Sequence, residues 1–240
     1  MEGLADQLAD HGVGVLTYGT KGYPRRLANL PSPPPLIAYR GNLSLLASPG
    51  IGVCGARSAS DAGLTAARRV GETAAVHGLV VIAGNAAGVD TTAQTAALNA
   101  GGSIVLVLPE GIARTALAHE ADDLAADWDR VLVLSQFPFT QPWTVWGAMA
   151  RNSLIAALGD ALIVIEAGEQ GGTRAAGEVA LRLGQRVFVL QFEDGMPEGN
   201  RALIELGAKA VRNPSELMDA IQEAQSRRAA DPDLQLALPL

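Results

Sequence analysis

From residue 50 onward the chain settles into a regular alternation. Short continuous apolar runs rich in β-branched residues recur as "GIGVCG" (50–55), "LVVIAG" (79–84), "SIVLVLP" (103–109), "RVLVLS" (130–135), "DALIVIEAG" (160–168), "RVFVLQF" (186–192) and "KAVRN" (209–213). Helical stretches rich in alanine and leucine separate them. Strands that are apolar throughout are covered on both faces, and strands interleaved with helices pair in parallel. The pattern predicts an α/β domain with a doubly wound, mostly parallel sheet over residues 50–228. Several runs drive straight into glycine, at Gly55, Gly84 and Gly168. Ligands in such sheets bind outside the carboxyl ends of the strands, near the point where strand order reverses. A site along that one edge is therefore expected.

The first 49 residues break the rhythm. They contain a short helix, a strand "VGVLTY" and the proline-rich "GYPRRLANLPSPPPLIAYRG" (22–41), which is not expected to be helical. They are read as an N-terminal extension packing on the sheet domain. Residues 229–240, "AADPDLQLALPL" with Ala229 first, are read as an exposed tail after the last helix.

Composition narrows the class. Of 240 residues, 48% are hydrophobic and 18% charged, as in a compact protein rather than a disordered one. No apolar stretch approaches the roughly 20 residues of a membrane span, and the acidic start "MEGLADQLADHG" reads as neither signal nor transit peptide. One cysteine, Cys54, forms no internal disulfide and reads as a small core residue. A cytoplasmic protein is expected. The net charge of −7 sits awkwardly with nucleic-acid binding, although a local basic cleft is compatible with an acidic whole. The acid is concentrated in "HEADDLAADWD" (119–129), read as a solvated face remote from any ligand.

The chemistry gathers where strands meet glycine. At Gly55-Ala56-Arg57-Ser58 a tight turn leaves main-chain N–H groups and a helix start facing outward, a seat for an anion. The planar fork of Arg57 suits phosphate; the alternative is a pairing with a surface carboxylate. Gly84 and Gly88 bracket a second loop and permit close backbone approach. Asp90 after them either caps the next helix or meets the ligand directly. Phe137, Phe139, Trp143 and Trp146 crowd one segment, four of the chain's 4 Phe and 3 Trp. They either stack bases or pack under their loop, the latter expected for most of them. Arg151 and Asn152 follow, placed to meet a phosphate or a base edge. Gly171, Gly172 and Thr173 form a third loop, with amides and a hydroxyl at a helix start.

Taken in order, these segments resemble the DNA-processing protein A (DprA, also called Smf) family over about residues 20–218. "YPRRLANLPSPPPLIAYRGNLSLL", "GVCGARSASDAG", "AGNAAGVDTTAQTAALNAGG", "SQFP", "ARNSLIAALGDALIVIEAGEQGGT" and "EGNRALIELGAKAV" carry the resemblance. It implies a Rossmann-like domain that binds single-stranded DNA without catalysis, metal or cofactor, hands it to a RecA-type recombinase and commonly forms homodimers. Residues Gly55, Arg57, Ser58, Gly84, Gly88, Arg151, Asn152, Gly171, Gly172 and Thr173 would then line the DNA. The C-terminal winged-helix module of many relatives is not expected in this sequence. The final "QLALPL" resembles the hexapeptide that docks bacterial proteins on the sliding clamp, through Gln235, Leu236, Leu238 and Leu240; the alternative is a tail packing on its own domain.

The departures from the family pattern are specific. Ala56 replaces the serine of G-S-R, Ala87 stands where a basic residue is common, and Gln94 replaces a histidine. Gln136 replaces an acid, Ser153 replaces the second arginine of R-N-R, and "LQF" at 190–192 stands for V-P-G. Two fewer cations imply weaker, less salt-sensitive DNA binding. A sensor of small nucleotides is the alternative. A phosphoribohydrolase is disfavoured, because Ala176 occupies the position of its glutamate and Glu178 comes two residues late.

Overall fold

The computed structural model describes residues 3–113, 127–192 and 195–230. A short helix α1 (Leu4–Asp10) leads into β1 (Val13–Thr17), a single turn α2 (Arg25–Ala28) and β2 (Leu36–Gly41). After a 3-10 turn at Leu43–Ala47 come β3 (Gly50–Gly55), α3 (Asp61–Val76), β4 (Val80–Ala83), α4 (Val89–Asn99) and β5 (Ile104–Val107). The chain continues through β6 (Val131–Ser135), α5 (Val145–Ala150), α6 (Asn152–Leu158), β7 (Ala161–Ile165), α7 (Gly172–Arg182) and β8 (Arg186–Leu190). It closes with α8 (Glu198–Glu205), β9 (Lys209–Val211) and α9 (Pro214–Ala230). Each of the seven apolar runs from residue 50 onward contains a strand.

Among the described residues the strands form one nine-stranded sheet in the order β1-β2-β6-β5-β4-β3-β7-β8-β9. From β6 to β9 every pair is parallel. The mostly parallel α/β sheet is thus as expected. Its strands read as continuous apolar runs because both faces are covered: every residue of β4, β5, β6 and β7 is buried. On one face Ile51, Val53 and Ile163 pack with α3, α4 and α9 through Ala67, Val70, Ala93, Ala97 and Ile221. On the other, Cys54, Ile82 and Val164 pack with Leu154 and Ile155 of α6, Ala180 of α7 and Leu203 of α8. Alternation along β3 sends successive side chains to opposite layers.

The first strands continue this sheet. β2 runs antiparallel to β6 and β1 antiparallel to β2, with Ala38 opposite Ser135 and Val15 opposite Ala38. The proline-rich stretch departs from expectation in one detail. Pro24 sits at the N-cap of α2, where its missing N–H removes no helical bond, so one helical turn forms over Arg25–Ala28. Arg26 of that turn ion-pairs with buried Asp160, and Asp160 also accepts the Gly50 N–H at 2.9 Å. This ties the N-terminal segment to the entry of the central strand.

Candidate functional site

Strand order reverses at β3. The crossovers from β3 through β4, β5 and β6 travel one way along the sheet, whereas β7 returns to the other side of β3 and continues to β9. The crevice of a doubly wound sheet therefore opens between the carboxyl ends of β3 and β7. Three loops meet there, after Gly55, after Ala83 and after Ile165.

The loops interlock through main chain. Ala56 N–H donates to Ile165 O at 3.2 Å, and Val89 N–H donates to Ala56 O at 3.2 Å. Gly88, at φ +85°, passes so close that a Cβ would stand 2.4 Å from Ala56 O and 2.5 Å from Arg57 O. Only glycine accepts both that dihedral and that contact. The third loop is tied in by Thr173, whose hydroxyl donates to Gly55 O at 2.8 Å. Asn152 Nδ2 donates to Gly172 O at 3.2 Å, which fastens the start of α6 to the start of α7. Gly171, at φ +122°, and Gly172 remain exposed at the head of α7.

Two residues that patterning did not single out complete the frame. Glu166, directly after β7, has φ +54°. Its carboxylate accepts the Ser60 N–H at 2.8 Å and the Ser60 hydroxyl, and Ser60 Oγ in turn accepts the Gly63 N–H at 3.0 Å. The end of β7 thereby sets the start of α3 across the crevice. A non-glycine residue in this left-handed region costs about 1–3 kcal/mol and marks sites where the fold overrides local preference. Asn200, fully buried, accepts the Ala167 N–H at 2.6 Å and donates to Leu190 O at 2.7 Å, clamping the ends of β7 and β8. Each lies inside a motif quoted above, but its role depends on a partner far away in sequence.

The predicted polar residues divide into rim and interior. Arg57 and Ser58 are exposed at the rim. The Arg57 guanidinium lies 5.3 Å from the centre of the Trp143 ring, and no described carboxylate lies within ion-pairing distance of it. Arg151 and Asn152 are each only 6% exposed. Arg151 Nη2 stands 3.7 Å from the buried Asp90 carboxylate, with the guanidinium lying against Gly84. Asp90 is not a helix cap. It lies within α4, whose N-cap position is Gly88, and it accepts the N–H groups of Gly84, at 3.0 Å, and Ala86. Burial pushes the Asp90 carboxyl above the usual carboxylate range, opposed by Arg151, by those two amides and by Arg57. Burial likewise lowers Arg151, opposed chiefly by Asp90.

The aromatic segment divides as well. Phe137 is buried, and Phe139 packs partly buried against the core. Trp143 and Trp146 are 44% and 68% exposed. Trp146 meets Phe137 edge to face at 5.7 Å, so the core ring props up the exposed one. Val145 and Met149 are exposed beside them, and Met149 Sδ would touch a Cβ on Gly172 at 3.7 Å. Expecting most of these rings in the core was half right. The rim thus carries one guanidinium, two indole faces and the amides of the 171–173 loop. Gln235, Leu236, Leu238 and Leu240 lie outside the described residues, as does most of the acidic run 119–129.

The sequence model of the family described as DNA recombination-mediator protein A matches residues 14–222. The chain belongs to that family. The DNA recombination-mediator protein A assignment agrees with individual relatives. The DNA processing protein DprA of Streptococcus pneumoniae is 33% identical over 201 residues, covering 82% of this chain and 70% of that protein. Protein Smf of Synechocystis is 29% identical over 215 residues, covering 86% of this chain but 53% of its own length. The chain thus spans about half of that relative. The X-ray structure of Streptococcus pneumoniae DprA superposes with a TM-score of 0.75 at 29% identity, covering 90% of this chain and 77% of that one. The Helicobacter pylori DNA processing protein A, described for its single-stranded-DNA binding mode, shares the fold with a TM-score of 0.75 at 22% identity. It covers 89% of this chain and 96% of that one. The Rossmann-like architecture of the DNA recombination-mediator protein A family is therefore the architecture of this chain.

Proposed function

We propose that this chain binds single-stranded DNA, without cutting it, in the crevice between β3 and β7. The observation that carries the reading is the pairing of Arg57 with Trp143 at the rim. A guanidinium suited to phosphate stands beside an indole face suited to a base, the combination that single-stranded nucleic acid requires. Main-chain amides of the 171–173 loop, Ser58 and the second indole of Trp146 extend the same rim. Gly55, Gly84 and Gly88 let the loops approach, and Asn152 and Thr173 brace them. The family relation and the single-stranded-DNA binding described for the Helicobacter pylori protein support this reading.

The setting that follows is recombination, repair or transformation, with a RecA-type recombinase receiving the DNA and two copies of the chain forming a dimer. The segment Gln235, Leu236, Leu238 and Leu240 is proposed to tether the protein to the sliding clamp. A non-enzymatic role is supported by Ala176 standing where a phosphoribohydrolase carries its glutamate, with the nearby Glu178 ion-paired to Arg174 at 2.9 Å.

Titration of a labelled oligo-dT at two salt concentrations tests the reading. Binding at low micromolar protein in low salt is expected, with Arg57→Ala weakening it at least ~10-fold, about 1.4 kcal/mol. Absence of binding in low salt overturns it. A second reading, a sensor of small nucleotides, is favoured by Arg57 being the one exposed arginine among the described residues of the crevice loops and by the net charge of −7. Calorimetry against mono- and cyclic nucleotides separates the two.

A further inference from the structure

Arg151 carries the surprise of the site. A guanidinium read from sequence as a ligand contact is 6% exposed and packs against Gly84 of the 84–88 loop. Its position is set by two features of that loop. Gly84 has no side chain, and a Cβ there would fall 1.2 Å from Arg151 Nη1, so the guanidinium occupies the space that any other residue would fill. Asp90, 3.7 Å away, is 3% exposed, and its other partners are the N–H groups of Gly84 and Ala86. The loop is thus gripped twice, by its amides through Asp90 and by its Cα surface through Arg151. Between the gripped residues, Asn85 is held at φ +54°.

We infer that Asp90 and Arg151 are a positioning pair that sets the 84–88 loop along the crevice and that neither touches the nucleic acid. The inference rests on the reading of the crevice as a single-stranded-DNA site. As a unit the pair carries no net charge, which leaves Arg57 as the cation presented by this part of the rim. Burial makes the pairing obligatory in practice: removing one member leaves an uncompensated charge in the interior, whereas removing both does not. The surroundings offer little relief. Among the described residues, Arg151 Nε and both amide atoms of Gln94, one helical turn beyond Asp90, have no hydrogen-bond partner.

A phosphate contact and a positioning residue differ in salt dependence. Each neutralised phosphate of a single strand contributes about 0.7 to the slope of log affinity against log salt. Full-length wild type, Arg151→Met, Asp90→Asn, the double variant and Arg57→Ala are titrated with oligo-dT between about 50 and 200 mM salt. Hydrogen exchange of the 84–88 segment is followed in parallel. Arg151→Met is expected to weaken binding about 10-fold at every salt concentration with the wild-type slope, and to speed exchange at Gly84 and Ala86. Arg57→Ala is expected to flatten the slope by about 0.7. The double variant is expected to bind better than Arg151→Met alone.

A slope flattened by about 0.7 in Arg151→Met, or an unchanged affinity, overturns the inference. Should Arg151→Met fail to fold, Gly84→Ala displaces the guanidinium with both charges retained. It must then show the same salt-independent loss and faster loop exchange, and wild-type behaviour overturns the inference. If wild type itself fails to bind oligo-dT, the DNA reading falls. Loop exchange in Arg151→Met then still decides the pair, with faster exchange supporting it and unchanged exchange overturning it.

Discussion

Arg57 and Trp143 stand 5.3 Å apart, guanidinium to ring centre, although 85 residues of chain separate them (143 − 57 − 1). One closes the turn after β3 and the other precedes α5, and the sheet brings them to one rim. An arginine that rests on an indole is held in place by the ring's negative face, worth about 0.5–1 kcal/mol at an exposed site. It keeps its hydrogen-bond donors free for an anion.

Loss of the ring should be felt chiefly as lost stacking. Trp143→Ala is expected to weaken oligo-dT binding about 10-fold or more, because stacking contributes about 1–3 kcal/mol per base. The salt slope is expected to stay at the wild-type value, since no phosphate contact is removed. Fluorescence anisotropy at two salt concentrations checks this, and a flattened slope would show that the ring acts mainly by holding Arg57.

Gly88→Ala should cost stability as well as binding. Its φ of +85° disfavours any Cβ by about 1–2 kcal/mol, and that Cβ would collide with Ala56 O and Arg57 O. A loss of about 2 kcal/mol or more is expected, lowering the melting temperature by about 4–8 °C for a domain of this size. Urea titration or a thermal melt measures it.

Asn200→Ala removes both partners of a clamp at the crevice wall. The Ala167 N–H and the Leu190 carbonyl would each lose the side chain that satisfies them. At about 1–3 kcal/mol for each of the two buried groups left without a partner, a loss of roughly 2–6 kcal/mol is expected from equilibrium unfolding. Exchange at Ala167 N–H should rise selectively.

Cys54 should be chemically silent in the native protein. Burial pushes its thiol well above the usual range and nearby Asp90 adds to the shift, with Arg151 opposing both. The raised value means the reactive thiolate is suppressed at neutral and mildly alkaline pH. An aromatic disulfide reagent at about pH 8, below the ordinary thiol value of about 8.5, should label native protein no faster than it unfolds. Labelling should be complete in denaturant. Rapid native labelling would show the layer between α6 and the sheet to be open.

How much of this was legible in sequence follows from the range of the forces involved. The seven parallel strands could be read from residue 50 onward because burial on both faces writes itself locally, as unbroken apolar runs such as residues 79–83. The glycine loops were legible for the same reason: a sharp exit after Gly55 or a left-handed φ at Gly88 is a property of one or two residues. The place of β1 and β2 beside β6 was not, because antiparallel addition at a sheet edge leaves no local trace beyond two short stretches of mixed burial.

Side-chain roles at the crevice were decided by tertiary structure. Arg57 and Arg151 both precede or begin helices beside small residues, and their sequence surroundings do not tell them apart. Only the fold places Arg57 at the rim over Trp143 and Arg151 inside against Asp90. The same holds for Glu166 and Asn200, whose partners at Ser60 and Leu190 lie on other elements. The physical reason is that patterning reports whether a position is buried, whereas a charged group's function depends on which distant group compensates it once it is there.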